Sequence, residues 1–340
     1  MRSFASDNNS GIHPEILKAI QDCNVNHAIG YGDDEYTKQA IELFRQHFGE
    51  ETEVFFVFNG TAANTLGLMQ ATKTFSSIIC ADTSHINSDE CGAPERIAGV
   101  KLISIPNRNG KIEPDDILPH LQGFGFEHHS QPGAISISQS TEMGTVYKPA
   151  EIKALSDLAH QHNMFLHIDG ARLANAAVTL DLPFKSFTTD CGVDVVSFGG
   201  TKNGMMIGEA VLFLNPSLAK DFKYIRKQSM QLFSKMRFIS AQFIEYFNND
   251  LWKKNAQHAN KMAQKLVKEL KLIPQIKITV PVEVNAIFAE IPQHWIEPLK
   301  KEFFFYIWNH HRSEVRWMCS FDTTDDDIER FVKILKKCSG

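Results

Sequence analysis

Short apolar runs alternate with amphipathic stretches from about residue 50 to 215, the pattern of an α/β unit whose mainly parallel sheet is covered on both faces. The runs at 54–58, 77–80, 100–105, 134–137, 164–168, 193–198 and 210–213 predict seven strands, enough for one large sheet. Between them Ile152, Leu155, Leu158 and Ala159 recur at helical spacing, and Ala40, Ile41, Phe44 and Phe48 do so upstream. These are core stripes, not sites.

Beyond residue 215 the pattern shifts to longer helices, with Met262, Leu266, Val267 and Leu270 on one face. Strand-like pieces follow at 276–280, 285–289 and 315–318. A last helix carries Ile328, Phe331, Val332 and Leu335, opens on Asp325, Asp326 and Asp327 and closes on Lys336 and Lys337, the charge order a helix dipole favours. The expectation is α/β: a large domain over 1–230, with an N-terminal arm and a mainly parallel seven-stranded sheet flanked by helices, then a smaller α+β domain over 231–340. No Gly/Ser linker or internal repeat separates them, which puts the joint, near 215–240, in a helix.

Composition narrows the class. The 340 residues are 43% hydrophobic and 22% charged, ordinary for a globular protein long enough to bury a core. Lys plus Arg (35) against Asp plus Glu (40) leaves −5, so neither nucleic acid nor an anionic membrane is an expected partner. The apolar runs fall well short of the roughly 20 residues that span a bilayer. The polar start, Met-Arg-Ser-Phe-Ala-Ser-Asp-Asn, has no signal-peptide core, so a cytoplasmic location is expected. Six scattered cysteines with no C-x-x-C pair predict reduced thiols and no metal site.

Three strand ends carry candidate chemistry, because ligands of such sheets bind beyond the carboxyl ends of the strands. The run 54–58 breaks at Asn59-Gly60-Thr61, where free amides at a helix start and the Thr61 hydroxyl can cup a phosphate. Taken alone, Thr61 is as readily a helix cap. There is neither a Walker A loop nor a G-x-G-x-x-G, which counts against nucleotide hydrolysis and a nicotinamide dehydrogenase. The run 164–168 delivers Asp169, with Arg172 three residues on. A carboxylate in a dry site must find a cation, either a protonated ring nitrogen or, more plainly, Arg172 itself. The run 193–198 ends in Gly199, Gly200 and then Lys202, a lysine that can serve as a Schiff-base nucleophile if its amine is desolvated. Together, a phosphate cup, a strand-end Asp and, 33 residues later, a Gly-flanked Lys supply the anchor, ring-nitrogen partner and aldehyde trap of pyridoxal 5'-phosphate.

The chain resembles the low-specificity L-threonine aldolases, including their phenylserine-aldolase branch, in the aspartate-aminotransferase fold superfamily. The resemblance runs through Phe-Ala-Ser-Asp-Asn (4–8), Tyr-Gly-Asp-Asp (31–34), Asn-Gly-Thr-Ala-Ala-Asn (59–64), Ser-His-Ile (84–86), His-Ile-Asp-Gly-Ala-Arg (167–172), Thr-Lys-Asn-Gly (201–204) and Ser-Lys-Met-Arg (234–237). It implies that Lys202 links covalently to the cofactor, Asp169 keeps its ring nitrogen protonated, Gly60 and Thr61 bind phosphate, and His85 stacks on the ring. It further implies that Arg172, Ser6 and Arg316 hold the substrate carboxylate and that His128, or its neighbour His129, lies near the substrate hydroxyl. Ser138-Gln139-Ser140-Thr141 stands where many relatives have Glu-Asn-Thr-His, and Thr201 replaces a common Ser, as in the phenylserine-type branch.

The implied reaction is retro-aldol cleavage of a β-hydroxy-α-amino acid to glycine and an aldehyde. A β-eliminating lyase or an aminotransferase could use the same cofactor site, as could a catalytically silent cofactor-binding module. The resemblance also implies a homodimer or homotetramer that shares site residues, with 31–34 and the basic stretch from Arg226 and Lys227 to Arg237 as segments that reach a neighbour.

Overall fold

The computed structural model describes residues 2–339. Its main sheet contains β1 (Glu53–Val57), β2 (Ser76–Ala81), β3 (Lys101–Ile105), β4 (Gln131–Ser138), β5 (Phe165–Gly170), β6 (Val195–Gly199) and β7 (Glu209–Phe213), in the order β1-β7-β6-β5-β4-β2-β3. The seven expected runs are these seven strands. Pairings from β3 through β6 are parallel, and β7 alone runs against its neighbours. The parallel strands therefore end on one edge, at Ser138, Gly170 and Gly199. Because β7 is reversed, it begins on that same edge, with Glu209 opposite both Gly199 and Val57.

Two packing features position this edge. The helix Glu35–Phe48 buries Phe44 and Phe48 edge-on against Phe198 of β6, with ring centroids 5.2 and 5.7 Å apart. Burying each such ring contributes about 2 kcal/mol. On the other face, the helix Gly60–Ala71 is buried from Ala63 through Leu68. A Cβ on Gly67 would come within 3.1 Å of Val195, so glycine there lets the helix lie close to β6. Its N-terminus thus opens beside the strand ends.

The second sheet, order β10-β11-β9-β8, is antiparallel: β8 (Lys277–Ile278), β9 (Ala286–Glu290), β10 (Tyr306–Asn309) and β11 (Glu314–Met318). The sequence reading anticipated its other strands but not β10, and it drew 276–280 longer than the two residues that pair. One helix, Leu251–Leu270, serves both cores: Leu251, Trp252 and Ala256 pack with the first, while Met262, Leu266 and Leu270 pack with the second. The N-terminal arm joins the second core as well. The Phe4 amide donates to Phe304 O, the Met318 amide donates to Phe4 O, and the Phe4 ring packs on Phe303 and Phe331.

Candidate active site

Asn59 caps the helix Gly60–Ala71 by accepting from the Ala62 amide at 2.9 Å. Thr61 is therefore not the cap, and the amides of Gly60 and Thr61 have no partner among the described residues. One turn further in, the Asn64 amide donates to Asp169 Oδ2 at 2.9 Å and to Glu90 Oε1 at 2.8 Å. The same Glu90 oxygen lies 2.9 Å from His85 Nδ1. His85, Glu90 and Asp169 thereby form a cluster whose facing atoms lie within 4.8 Å of one another, a spacing that metal-binding groups also show. Here the two carboxylates are tied by one amide donor.

Asp169 is fully buried, at the end of β5. Burial would raise its pKa, but the nearby charges of His85 and Lys202, the Ala171 amide at 3.0 Å and Asn64 outweigh it, so the carboxyl sits below its usual range. It is an anion at neutral pH. His85 moves the other way: its hydrogen bond to Glu90 raises its pKa against the effect of burial. Beneath Asp169, His167 bridges Ser136 (2.9 Å) and Ser197 (3.0 Å), and burial pushes it down to about 4, so it stays neutral.

Lys202 sits half-buried in the turn Thr201–Asn203, just past β6. The turn is pinned from behind: Asn203 Nδ2 donates to Tyr246 Oη (2.7 Å) and Trp252 O (2.9 Å), and Asn255 donates to Asn203 O. Gly199 is needed here because a Cβ would lie 2.7 Å from Glu209 Oε2 and 2.9 Å from Ala171 Cα. Glu209 is buried under the turn. Burial drives its carboxyl up to about 7, against hydrogen bonds from Thr201 and the charge of Lys202.

Arg172 does not pair with Asp169. It reaches across to Asp7 in a buried bidentate pair, Nε to Oδ2 at 2.7 Å and Nη2 to Oδ1 at 2.8 Å. Asn285 adds a donor to Asp7 at 3.1 Å. Ser6 caps the short turn Asp7–Asn9 beside this pair. Arg316 on β11 lies between Tyr306 and Trp308, its guanidinium carbon 5.9 and 5.3 Å from their ring centres. It donates to Ala5 O, and burial together with the neighbouring Arg172 lowers its pKa. Asn64 Oδ1, Glu90 Oε2 and Arg316 Nε are buried without partners, hydrogen-bonding capacity that a polar ligand would satisfy.

His128 is placed elsewhere. It is exposed against Phe126, three residues before β4 begins, whereas the site lies past the end of that strand. Eight residues of strand span about 26 Å. Within one chain, therefore, neither His128 nor His129, next to it in the same exposed loop, is brought to the strand-end site. Asn64, Glu90 and Glu209 were not singled out in the sequence, although Glu90 follows His85 by five residues.

A strand-end carboxylate, an adjacent lysine turn and an amide-lined helix start form the kind of site in which α/β enzymes hold a phosphorylated aldehyde cofactor. Residues 3–293 match the model of the beta-eliminating lyase family, to which the chain belongs. It is 42% identical to the low specificity L-threonine aldolase of Pseudomonas aeruginosa over 97% of this chain and 94% of that one. Among solved structures it is similar to the Leishmania major threonine aldolase, with a TM-score of 0.94, 29% identity and full coverage of both chains. An aspartate aminotransferase variant from Thermus thermophilus, 14% identical, shares the fold with a TM-score of 0.71 over 99% of this chain and 95% of that one.

Proposed function

We propose that the chain is a pyridoxal phosphate-dependent aldolase that cleaves L-threonine, its allo form and phenylserine to glycine and an aldehyde. The observation that carries this reading is the buried anion of Asp169, held by Asn64 and Ala171 at the strand end next to the Lys202 turn. Relatives of the same name and near-equal length support it.

The donor set fits the cofactor: the free amides of Gly60 and Thr61 suit a phosphate, Asp169 suits a protonated ring nitrogen, and Lys202 suits the aldehyde. Bound there, the cofactor supplies an electron sink for the pair left on Cα when the Cα–Cβ bond breaks. The chain's own residues do the rest. Asp169 stays ionised, so it keeps the ring nitrogen's proton in place. His85, fixed by Glu90, would stack on the ring. Arg316, with unpartnered N–H capacity, grips the substrate carboxylate, and Arg172 assists with the guanidinium edge that Asp7 leaves free. By clamping the carboxylate, these arginines would fix the orientation of the substrate's Cα and so which of its bonds is presented for cleavage.

Addition of pyridoxal phosphate should colour the protein, and borohydride reduction followed by peptide mass spectrometry should place the label on Lys202. Product analysis on L-threonine and L-phenylserine should then find glycine and aldehyde. Pyruvate with ammonia, or amino transfer to a keto acid, would install the lyase or aminotransferase reading instead.

No helix of the described residues is long and apolar enough to cross a membrane. A homodimer or homotetramer is supported by the exposed apolar side chains Ile29, Tyr31 and Met230. The two segments expected to reach a neighbour touch each other: the Tyr31 amide donates to Ser234 O, and Lys227 lies over the Tyr31 ring. Light scattering on the purified protein tests the assembly.

A further inference from the structure

Retro-aldol cleavage needs a group that takes the proton of the substrate β-hydroxyl; Glu90 is occupied through Oε1 by His85 and Asn64, and its Oε2 is buried away from solvent. Asp169 is committed to the ring nitrogen. His85 is held through Nδ1 by Glu90, which raises its pKa, and its face is given to the cofactor ring in the reading above. The acceptor must stand on the substrate side of the site, where the two arginines are.

One carboxylate meets that condition. Glu142 lies four residues past the end of β4, in a turn closed by hydrogen bonds from the Thr141 amide to Thr145 O and from the Gly144 amide to Thr141 O, both 2.9 Å. The Thr141 and Thr145 hydroxyls lock together at 2.8 Å, and Thr145 donates to Asn109 O. The next residue, Met143, packs into a cluster with Met318 and Trp308. Those are the side chains that touch the arginines: Met318 Sδ accepts from Arg172 Nη2 at 3.5 Å, and Trp308 lies under Arg316. The turn is therefore rigid and abuts the carboxylate clamp. The charge of Glu142 bears on His85, Arg172 and Arg316 together, three groups on separate elements. Nevertheless, its half-buried carboxylate makes no hydrogen bond or ion pair among the described residues.

We propose that Glu142 is the catalytic base of this chain, accepting the β-hydroxyl proton of the substrate. The inference rests on the aldolase reading above. As Glu142 takes the proton, the O–H bonding pair becomes the second bond of the leaving aldehyde's carbonyl. The Cα–Cβ bond breaks with its pair kept on Cα, and Cα then takes one proton to give glycine.

The test compares Glu142→Gln, Glu142→Asp and the unchanged holoenzyme in two reactions. Cleavage of L-threonine and L-phenylserine needs a hydroxyl base. Exchange of a glycine α-proton with deuterium oxide uses the same cofactor, clamp and lysine, but has no hydroxyl. Glu142→Gln should lower kcat/KM for cleavage by about 10² to 10⁴. Glycine exchange, glycine affinity and cofactor affinity measured by absorbance titration should all stay within about threefold, and Glu142→Asp should restore part of the cleavage rate. Equal losses in cleavage and exchange, or undiminished cleavage, would overturn the assignment. Failure of the unchanged holoenzyme to cleave either substrate would instead bring down the aldolase reading on which it stands.

Discussion

Glu209 makes the stability of the cofactor-free protein depend on pH in a predictable direction. Its carboxyl is buried under the Lys202 turn and its pKa is raised from the usual 4.5 to about 7, chiefly by desolvation. A group whose folded pKa is raised gives stability that is complete below the unfolded value and is lost as pH climbs through the folded one. Over the interval from 4.5 to about 7, at about 1.4 kcal/mol per pH unit, the loss reaches about 3 kcal/mol. The groups facing Glu209 are Lys202 and Thr201 from the turn, Asp169 from β5 and the Tyr246 hydroxyl from the helix Arg237–Phe247. His167 acts in the opposite sense: lowered to about 4, it gives stability above its usual 6.5 that is lost as pH falls through 4. The unchanged protein therefore shows a composite profile, and the diagnostic quantity is its difference from Glu209→Gln, which keeps the shape and cannot ionise. Urea unfolding of both cofactor-free proteins between pH 5 and 8 should show the Gln variant gaining most of those 3 kcal/mol, relative to the parent, as pH rises. Parallel profiles would refute the idea that a buried proton resides on this side chain.

Other expected outcomes follow from the same contacts. Asp7→Ala leaves the Arg172 guanidinium buried without its partner and should cost about 3 to 5 kcal/mol in urea unfolding, with substrate KM rising as the clamp loses its brace. Gly199→Ala drives a methyl into Glu209 Oε2 and the Ala171 backbone; a loss of about 1 to 3 kcal/mol should appear in thermal melts, with slower cofactor capture. Glu90→Gln replaces the carboxylate whose hydrogen bond raises His85 with a neutral amide, so the imidazole proton followed by NMR should be released at lower pH than in the parent. Asp169→Ala should depress turnover far more than stability, and near-normal turnover in that variant would remove its role at the ring nitrogen.

The central strands, buried on both faces, read as uninterrupted apolar runs, and even the half-exposed β3 keeps enough apolar residues to mark its place in the sequence. Asp169 and Lys202 stood out as candidates because one follows such a run directly and the other comes after the glycines that end one. The aromatic stretch Phe303-Phe304-Phe305-Tyr306-Ile307-Trp308 has no alternation to mark where a helix ends and β10 begins, so that strand stayed hidden. Partners distant in sequence were equally silent. Nothing local to Arg172 says that it will choose Asp7, 165 residues earlier, over Asp169 three residues before it. Asn64 lies in a helix that is apolar nearly all round, so which of its faces meets the strand ends is settled only by packing. For His128 the expectation came from the resemblance alone, with no signal in the residues themselves; within one chain, a residue before a parallel strand and one after it are separated by the strand's whole length.

The first few residues of the chain work as a tether between the two cores: Phe4 is embedded in one, while Asp7 grips an arginine rooted in the other. A nick, trim or bulky fusion at that end would be felt as altered substrate grip, long before any element of the main sheet came loose.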